Sequence, residues 1–321
     1  MTRFIVLIAL VVAVVIAWTG GWYYIAGRVE AEIAALESAD GFPQPRLACD
    51  GLSVGGFPFQ FHPRCAGAEI TSGDLRITVS RIDATALFYR PTHVQFFAEG
   101  PATVTDTFNG STQEVSWQSL RGSARLEGDR IGRISLVGTE LAYADALLGT
   151  TVLATADALE LHLIDAPDAE TPAAGDALDV YLVAGNATAP ALDVAEGSIV
   201  IDGRVTGLPP LSVLASPYAL SLWQANGGAL TLRTLEATAD DLALNASGEA
   251  RLDPQGRVSG ALSVTSRGLA ERLRTFMEPE LAAVLIGAED ENGFNSQRIA
   301  INEGNVQVGI IPVLTIPPLF Y

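Results

Sequence analysis

The sequence predicts a mainly β fold. Its antiparallel strands would form a curved sheet, open barrel or groove, with an N-terminal transmembrane helix and a short C-terminal helix pair. Three observations lead to this prediction. Apolar and polar residues alternate along most of the chain, Gly- and Pro-rich turns separate the alternating segments, and a long uncharged segment lies at the N-terminus.

Composition limits the classes of function. Of 321 residues, 49% are hydrophobic and only 17% are charged, below the roughly 25% usual in globular domains, so most of the chain folds. The net charge of −18 argues against binding to nucleic acid and against a basic patch for anionic lipid headgroups. Every basic side chain is an arginine, so Schiff-base chemistry and a phosphate-binding P-loop lysine are excluded.

The N-terminal segment predicts a membrane anchor over residues 1–27. Twenty-four uncharged residues separate Arg3 from Arg28. As a helix they span about 36 Å, enough for a bilayer core of roughly 30 Å. An aromatic group that suits the membrane interface follows the apolar run: Trp18, Trp22, Tyr23 and Tyr24. Arg3 precedes the helix while acidic residues follow it, so we expect a single-pass protein of a bacterial inner membrane with its N-terminus in the cytoplasm and its bulk in the periplasm.

A cleavable signal peptide is the competing interpretation. The run from Phe4 to Ala17 has the length of a signal-peptide core, but bulky aromatic residues follow where a cleavage site requires small ones. We therefore favour an uncleaved anchor. Residues 28–45 are predicted to continue it as a juxtamembrane helix and linker, with Val29, Ile33 and Leu36 at near-helical spacing.

The two cysteines predict one disulfide. Cys49 and Cys65 would lie about 53 Å apart on one extended strand, whereas a disulfide needs Cα atoms about 5.5 Å apart. A turn in between, formed by Gly55, Gly56, Phe57 and Pro58, would fold the segment into a hairpin and bring the cysteines opposite each other. Two free buried thiols are the alternative.

The clearest strands form a candidate apolar groove face. Residues 244–252 and 258–264 alternate on either side of the turn Asp253–Arg257, and a five-residue loop would pair Leu252 with Val258 and Ala250 with Gly260. The candidate face consists of nine residues: Leu244, Ala246, Gly248, Ala250, Leu252, Val258, Gly260, Leu262 and Val264. Its small residues leave room that either a facing sheet or an acyl chain could fill.

Other alternating segments extend the sheet. A two-residue turn at Glu303–Gly304 would pair Ile301 with Val306 and Ile299 with Val308. Further strands are predicted at residues 75–79, 83–89, 94–98, 120–126, 134–136, 151–164, 177–183 and 198–205. We expect a first β half at 46–165, a linker at 166–176, where the sequence is rich in Ala, Pro and acids, and a second β half at 177–321.

Residues 267–287 predict two short helices. Leu269, Leu273 and Phe276 mark the first, while Pro279 begins the second and Gly287 ends it. Such a pair could plug an open end of the sheet or act as a lid.

No motif identifies a catalytic, cofactor or metal site. The three histidines lack metal-ligand spacing, and the acidic run at 289–293 lacks the alternating oxygen ligands of a calcium loop. No nucleophile elbow or phosphate loop is present. We therefore expect no cofactor and no enzyme activity.

Two segments resemble an uncharacterised alphaproteobacterial family, domain of unknown function 2125. They are residues 52–61 (LSVGGFPFQF) and 87–94 (LFYRPTHV), and they follow a similar anchor. The resemblance implies a Gram-negative inner-membrane location and brings no catalytic residues. A looser similarity to AsmA-like envelope proteins implies lipid traffic along β-built hydrophobic grooves.

The leading hypothesis is a non-enzymatic protein that binds a lipid or other hydrophobic ligand in envelope maintenance or lipid transport. Phe57, Phe59 and Phe61 would then pack at the groove or core. The alternatives are a periplasmic scaffold or assembly factor that binds envelope proteins and, third, an unrecognised hydrolase.

The topology can be tested with a reporter enzyme that is active only after export. We expect the reporter to be active when fused after Asp40, because the positive charge before the anchor keeps the N-terminus inside. A fusion before Phe4 should be inactive. Activity of the second fusion alone would contradict the orientation.

Overall fold

The computed structural model of the protein describes residues 2–39, 45–166, 176–214, 216, 218–273 and 278–320. These residues form five α-helices: α1 Thr2–Glu37, α2 Leu211–Leu214, α3 Ala219–Ala225, α4 Leu269–Leu273 and α5 Pro279–Ile286. They also form 18 strands: β1 Arg46–Asp50, β2 Ser53–Gly55, β3 Gln60–Cys65, β4 Gly67–Ser72, β5 Leu75–Leu87, β6 Arg90–Asp106, β7 Thr112–Ser116, β8 Ser119–Leu126, β9 Ile131–Asp145, β10 Thr151–Asp165, β11 Asp176–Ala189, β12 Val194–Leu208, β13 Ala229–Ala239, β14 Leu242–Leu252, β15 Val258–Arg267, β16 Asn295–Asn302, β17 Asn305–Val308 and β18 Ile311–Thr315.

All 18 strands in the described part of the chain belong to one antiparallel sheet, which confirms the predicted fold class. From β8 to β18 each strand pairs with the next strand along the chain. At the other end β5 pairs with β3, β4 and β6, while β6 pairs with β7 and β8. The fold is therefore a meander in which local hairpins build one long layer.

The helix α1 runs without a break from Thr2 to Glu37, so the predicted anchor and its extension form one element. Among the described residues it is a helix long and apolar enough to cross a membrane, a test that a signal sequence also meets. Trp22 and Ala26 are buried against the sheet, while the side chains from Phe4 to Ile16 are exposed. The helix is compatible with membrane anchoring.

A disulfide joins Cys49 to Cys65, with Cα atoms 5.4 Å apart. The register predicted around it was wrong, because Cys49 pairs with Ala68 rather than with Cys65. The chain kinks between β1 and β2 at Gly51, whose positive φ suits glycine. This kink separates two short ladders, and the disulfide crosses between them.

The hairpin registers predicted from alternation are confirmed. Leu252 pairs with Val258 and Ala250 with Gly260. In the next hairpin Ile301 pairs with Val306 and Ile299 with Val308. The first of these turns is closed by the Asp253 carboxylate, which accepts hydrogen bonds of 2.9 Å from the backbone N–H of Gln255 and of Arg257.

The sequence underestimated the length of several strands. The segments predicted at 75–79 and 83–89 are one strand, β5, which ends at Leu87. The strands β7, β13 and β18 and the helices α2 and α3 were not predicted. The strands β7 and β18 have only five residues each and give a weak periodic signal. The strand β13 has 11 residues, but a register shift between Leu232 and Leu235 interrupts its alternation.

The C-terminal helix pair is present, with α5 beginning at Pro279 and Gly287 at its C-cap. Phe276, predicted in the first helix, lies outside the described residues. Most of the predicted linker at 166–176 also lies outside them, and on either side of it Asp165 of β10 pairs with Leu178 of β11. The division into two β halves stays a prediction.

An ion-pair network crosses three strands in the middle of the sheet. Asp179 of β11 accepts hydrogen bonds of 2.8 and 3.0 Å from Arg204 of β12, and it also contacts Arg233 of β13. Arg233 in turn contacts Asp202. The hydrogen bonds from Arg204 hold the pKa of the Asp179 carboxyl below its usual value.

Asp179→Asn should therefore destabilise the sheet above about pH 4, where the unfolded carboxyl is ionised. Water and salt screen ion pairs at the protein surface, so we expect the free energy of unfolding to fall by only about 1 kcal/mol at pH 7. A depressed pKa stabilises the fold above the unfolded pKa, and that stabilisation disappears as the pH falls through the folded pKa. Melting temperatures of the two proteins should accordingly converge in acid. A difference that stayed constant from pH 7 to pH 3 would contradict the assignment.

Candidate functional site

The candidate site is one face of the sheet. Side chains alternate along each strand, so the register places every second residue of β5–β16 on the same side. The central transverse row on this side consists of Ala84, Phe96, Gly122, Leu136, Leu161, Leu182, Ile201, Leu235, Ala246 and Val264. Every member of this row is apolar.

Two flanking rows repeat the pattern. One consists of Val94, Ala124, Ile134, Leu163, Val180, Gly203, Leu232, Gly248, Leu262 and Ile299. The other consists of Ile82, Ala98, Leu120, Gly138, Leu159, Ala184, Ile199, Ala237 and Leu244. We call these three rows the apolar face.

The nine residues proposed from the sequence lie at one end of the apolar face. Leu244, Ala246, Gly248, Leu262 and Val264 are members of its rows, and the pairs Ala250–Gly260 and Leu252–Val258 continue it along β14 and β15. The middle of the face, on β9–β13, was not predicted from the sequence. The alternating leucines of β10 do indicate one apolar side. However, alternation within one strand does not show which residues of the adjacent strands lie on the same face.

The apolar face is as large as the largest apolar patches found on soluble monomers. Nine strand spacings from β5 to β15 give a length of about 43 Å, and three rows give a width of about 13 Å. The resulting area of about 560 Å² lies near the upper limit for apolar patches on soluble monomers. Central residues such as Leu161, Leu182 and Ile201 are only partly buried.

The total solvent-accessible surface area of the chain supports an open sheet. A compact monomer of 33.7 kDa should expose about 12,700 Å², whereas this chain exposes 18,958 Å². The projecting anchor helix accounts for part of the excess. The remainder agrees with a buried set made mainly of alanines, since a core between two packed layers would bury larger side chains.

Two glycines of the candidate face have a structural role. A Cβ on Gly248 would lie 2.2 Å from the carbonyl oxygen of Ala261, and a Cβ on Gly260 would lie 2.0 Å from that of Glu249. Both contacts are with backbone of the paired strand. These glycines therefore allow two paired strands to approach closely. The sequence had suggested a different role for them, which was to leave space for a ligand.

One end of the apolar face lies against the anchor helix. Phe61 of β3 pairs with Ala86 of β5 and is buried against Trp22 and Ala26 of α1. Beside this contact, a cavity of about 140 Å³ joins the extension of the helix to the first strands of the face. Its apolar lining includes Ile33 of α1 and Ile82 and Ala84 of β5.

Short helices lie at both ends of the strands. The turn after β8 holds α2, because Asp129 accepts hydrogen bonds from the backbone N–H and the hydroxyl of Ser212. Near α2, Leu211 and Leu214 line a small pocket with Leu178. At the opposite strand ends, Gln297 of β16 donates a hydrogen bond to the Val284 carbonyl of α5 (3.1 Å). The middle of the face lies between these helices.

The two segments that resemble the family meet at the anchor helix. Trp18 donates its indole N–H to the carbonyl oxygen of Pro58 (3.0 Å), and Trp22 donates to that of Gln60 (2.9 Å). Phe88, from the second segment, has its ring 4.5 Å from that of Trp18 and donates its backbone N–H to Phe59. Gly55, Gly56, Phe57 and Pro58 thus form a hairpin that docks on α1, and we call residues 56–59 the hairpin tip.

The expectation that three phenylalanines pack in the groove or core holds for only one of them. Phe61 is buried, but Phe57 and Phe59 remain 48% and 59% exposed. All three rings lie beside α1: the Phe57 ring is 5.5 Å from that of Trp22, and the Phe59 ring is 6.0 Å from that of Trp18. Phe61 is enclosed in the buried cluster with Trp22 and Ala26, whereas Phe57 and Phe59 each leave about half of their surface exposed. Gly56 is required at the hairpin tip, since its φ is positive and an added Cβ would contact His62 and Gln60.

The opposite face of the sheet carries polar side chains and a depression of about 670 Å³. The depression is lined by side chains that pair across β5, β6, β8 and β9, among them Asp83, Arg121 and Ser135. Its lining includes Phe96 and Gly122 of the central row, while the other lining residues alternate with the apolar rows and lie on the opposite side of the sheet.

A Ser–His–Glu arrangement lies at the edge of this depression. The Ser135 hydroxyl is 3.0 Å from Nδ1 of His162, and Nε2 of His162 is 3.3 Å from the Glu160 carboxylate. A histidine so placed can accept a serine proton. However, all three residues lie within paired strands, where backbone N–H groups serve the ladder, and acyl transfer requires N–H groups free to bind an oxyanion. The contacts are those of a cross-strand polar cluster.

Within the described ranges, no group of three His, Cys, Asp or Glu side chains could hold a metal ion.

An N-terminal apolar helix docked on a single, open antiparallel sheet defines the class of this protein. Its family follows from comparison: residues 22–317 match the model of DUF2125, described as an uncharacterized protein conserved in bacteria. The chain belongs to this family. No curated protein and no solved structure matches it.

Replacing Gly260 by alanine should destabilise the sheet by about 1–3 kcal/mol, because the new Cβ forces two paired backbones apart. Gly185→Ala is the matched control, since Gly185 also lies in a strand and nothing lies within 4 Å of its added Cβ. The control should change stability by less than about 0.5 kcal/mol. Thermal unfolding measures both, and equal losses would contradict the close approach.

Proposed function

We propose that this protein is an uncleaved single-pass protein of the inner membrane whose periplasmic sheet binds a lipid or other hydrophobic ligand on its apolar face. The observation that carries the proposal is three continuous apolar rows, two across ten strands and one across nine, on a face whose large side chains are only partly buried. Such a surface in water is unfavourable by about 25 cal/mol per Å², so it favours an apolar occupant.

The anchor supports the choice of a lipid as the occupant. Phe61 and the small apolar cavity connect the first strands of the face to α1, the element that would lie in the bilayer. The membrane is the source of lipid nearest to that end of the face. The contacts of Trp18, Trp22 and Ala26 with the sheet support an uncleaved anchor. Cleavage after the apolar run would remove these contacts.

A role in envelope maintenance or lipid transport, without catalysis, suits these features. The Ser135–His162–Glu160 cluster makes a hydrolase the weaker alternative, because its residues lie within paired strands. A scaffold has one observation in its favour. The terminal strand β18 carries exposed Ile311 and Leu314, although Pro312 within it removes one N–H that a partner strand would need.

The proposal is tested by mass spectrometry of lipid extracted from gently purified protein. Leu182→Arg places a cation in the centre of the apolar face, and we expect it to lower the amount of bound lipid several-fold. Val183→Arg is the matched control. It makes the same change on the opposite face, beside Glu160, and should leave lipid content unchanged.

Because both variants keep the same anchor, lipid that surrounds the helix contributes equally to each. Equal lipid content in the two variants, or wild-type protein that is reproducibly free of lipid, would overturn the proposal. A stoichiometric protein partner without lipid would favour the scaffold.

A further inference from the structure

The hairpin tip lies beside the apolar part of α1. Trp18 contacts the carbonyl of Pro58, Trp22 contacts that of Gln60, and the Glu30 carboxylate accepts a hydrogen bond from the backbone N–H of Val54 (3.3 Å). The hairpin therefore runs along the helix with its tip toward the helix N-terminus. Glu30 and Trp18 are twelve residues apart, about 18 Å along the helix axis, whereas Val54 and Pro58 are four residues apart and span at most about 14 Å. The two long side chains of the helix bridge the remaining distance, so the hairpin follows the helix axis from Glu30 towards Trp18.

The length of the apolar run decides where the membrane boundary falls. If the bilayer ended before Trp18, only the 14 residues from Phe4 to Ala17 would span it. They cover about 21 Å, which is about 9 Å short of a typical hydrocarbon core. A core of about 30 Å that begins at Phe4 ends near residue 24, so Trp18 and the tip beside it lie inside that boundary.

The chemistry of the tip suits this depth. Apart from His62, the segment from Gly51 to Pro63 contains no ionisable side chain. Phe57 and Phe59 project from the tip, and Tyr89 projects from the neighbouring β5–β6 turn with 69% of its surface exposed. Arg90 follows Tyr89, where its long side chain can reach lipid phosphates. Exposed aromatic rings beside an arginine are typical of a membrane interface.

We propose that the hairpin tip and the β5–β6 turn form a wedge that inserts into the phospholipid leaflet at the C-terminal end of the membrane span. Phe57 and Phe59 contact the acyl chains, and Tyr89 and Arg90 lie at the headgroups. The inference rests on the membrane anchoring proposed above. It fixes the first strands of the sheet at the bilayer surface, next to the start of the apolar face.

The test measures the depth of nitroxide labels on the full-length protein in nanodiscs of phosphatidylethanolamine and phosphatidylglycerol. Single cysteines are introduced as Phe59→Cys, Val11→Cys and Phe108→Cys, while the native cysteines stay in their disulfide. Phe108 is the matched control: its side chain is 86% exposed in a turn beyond the other end of β6, about 50 Å from Arg90. Val11 reports on the anchor.

We expect the ratio of collision rates with oxygen and with a water-soluble nickel complex to be several-fold higher at positions 59 and 11 than at 108. If the ratio is high at position 11 but equal at positions 59 and 108, the helix spans the bilayer and the hairpin tip does not insert. That result would contradict the wedge and support the anchor. A label at 59 shielded from both reagents also overturns the wedge, since protein would then cover the tip. If position 11 is in water, the anchoring and the wedge both fail.

Discussion

The fold depends on one constraint, the period-two alternation of side chains held in register across consecutive hairpins. A slip of one residue would move every apolar side chain of a strand to the opposite face. Register is kept because neighbouring strands are mostly joined by short turns, such as the one closed by Asp253. The outcome is that apolar rows on successive strands add up to a continuous surface instead of isolated patches.

The described part of the chain covers that surface only in part, because small residues such as Ala184 and Ala246 are buried while the larger apolar side chains are partly buried. The anchor helix packs on the first strands, and the short helices lie at the strand ends. Polar side chains on the other side, including the network of Asp179, Arg204 and Arg233, keep that face hydrated. A sheet with one hydrated face and one partly covered apolar face suits a protein whose hydrophobic contacts a ligand would complete.

Docking of the helix joins this surface to the candidate membrane anchor. The two tryptophans donate to carbonyls of the hairpin, so these backbone groups have partners within the protein. The segments at 52–61 and 87–94 are far apart in the sequence but contact the same turns of α1. Their aromatic residues divide into a buried set, represented by Phe61, and an exposed set at the tip.

Alternation predicted the fold class, and it predicted the hairpin registers at 250–260 and 299–308 because the information for both is local. The turn at Gly55–Pro58 and the disulfide were also predictable, since each needs only a short loop. The middle of the apolar face was not predictable, because it depends on the pairing register of ten strands, which places their apolar side chains on the same side of the sheet. The offset of Cys49 from Cys65 was missed because Gly51 introduces a kink that composition alone does not locate.

The sequence by itself determined that an apolar helix precedes a sheet with one apolar face, because charge distribution and periodicity are properties of neighbouring residues. Tertiary structure alone decided that this side is only partly covered and that the Gly-Phe-Pro turn lies against the helix. Whether an apolar row meets a second layer, a helix or nothing depends on contacts between residues distant along the chain. Those contacts leave no periodic signal in any single segment.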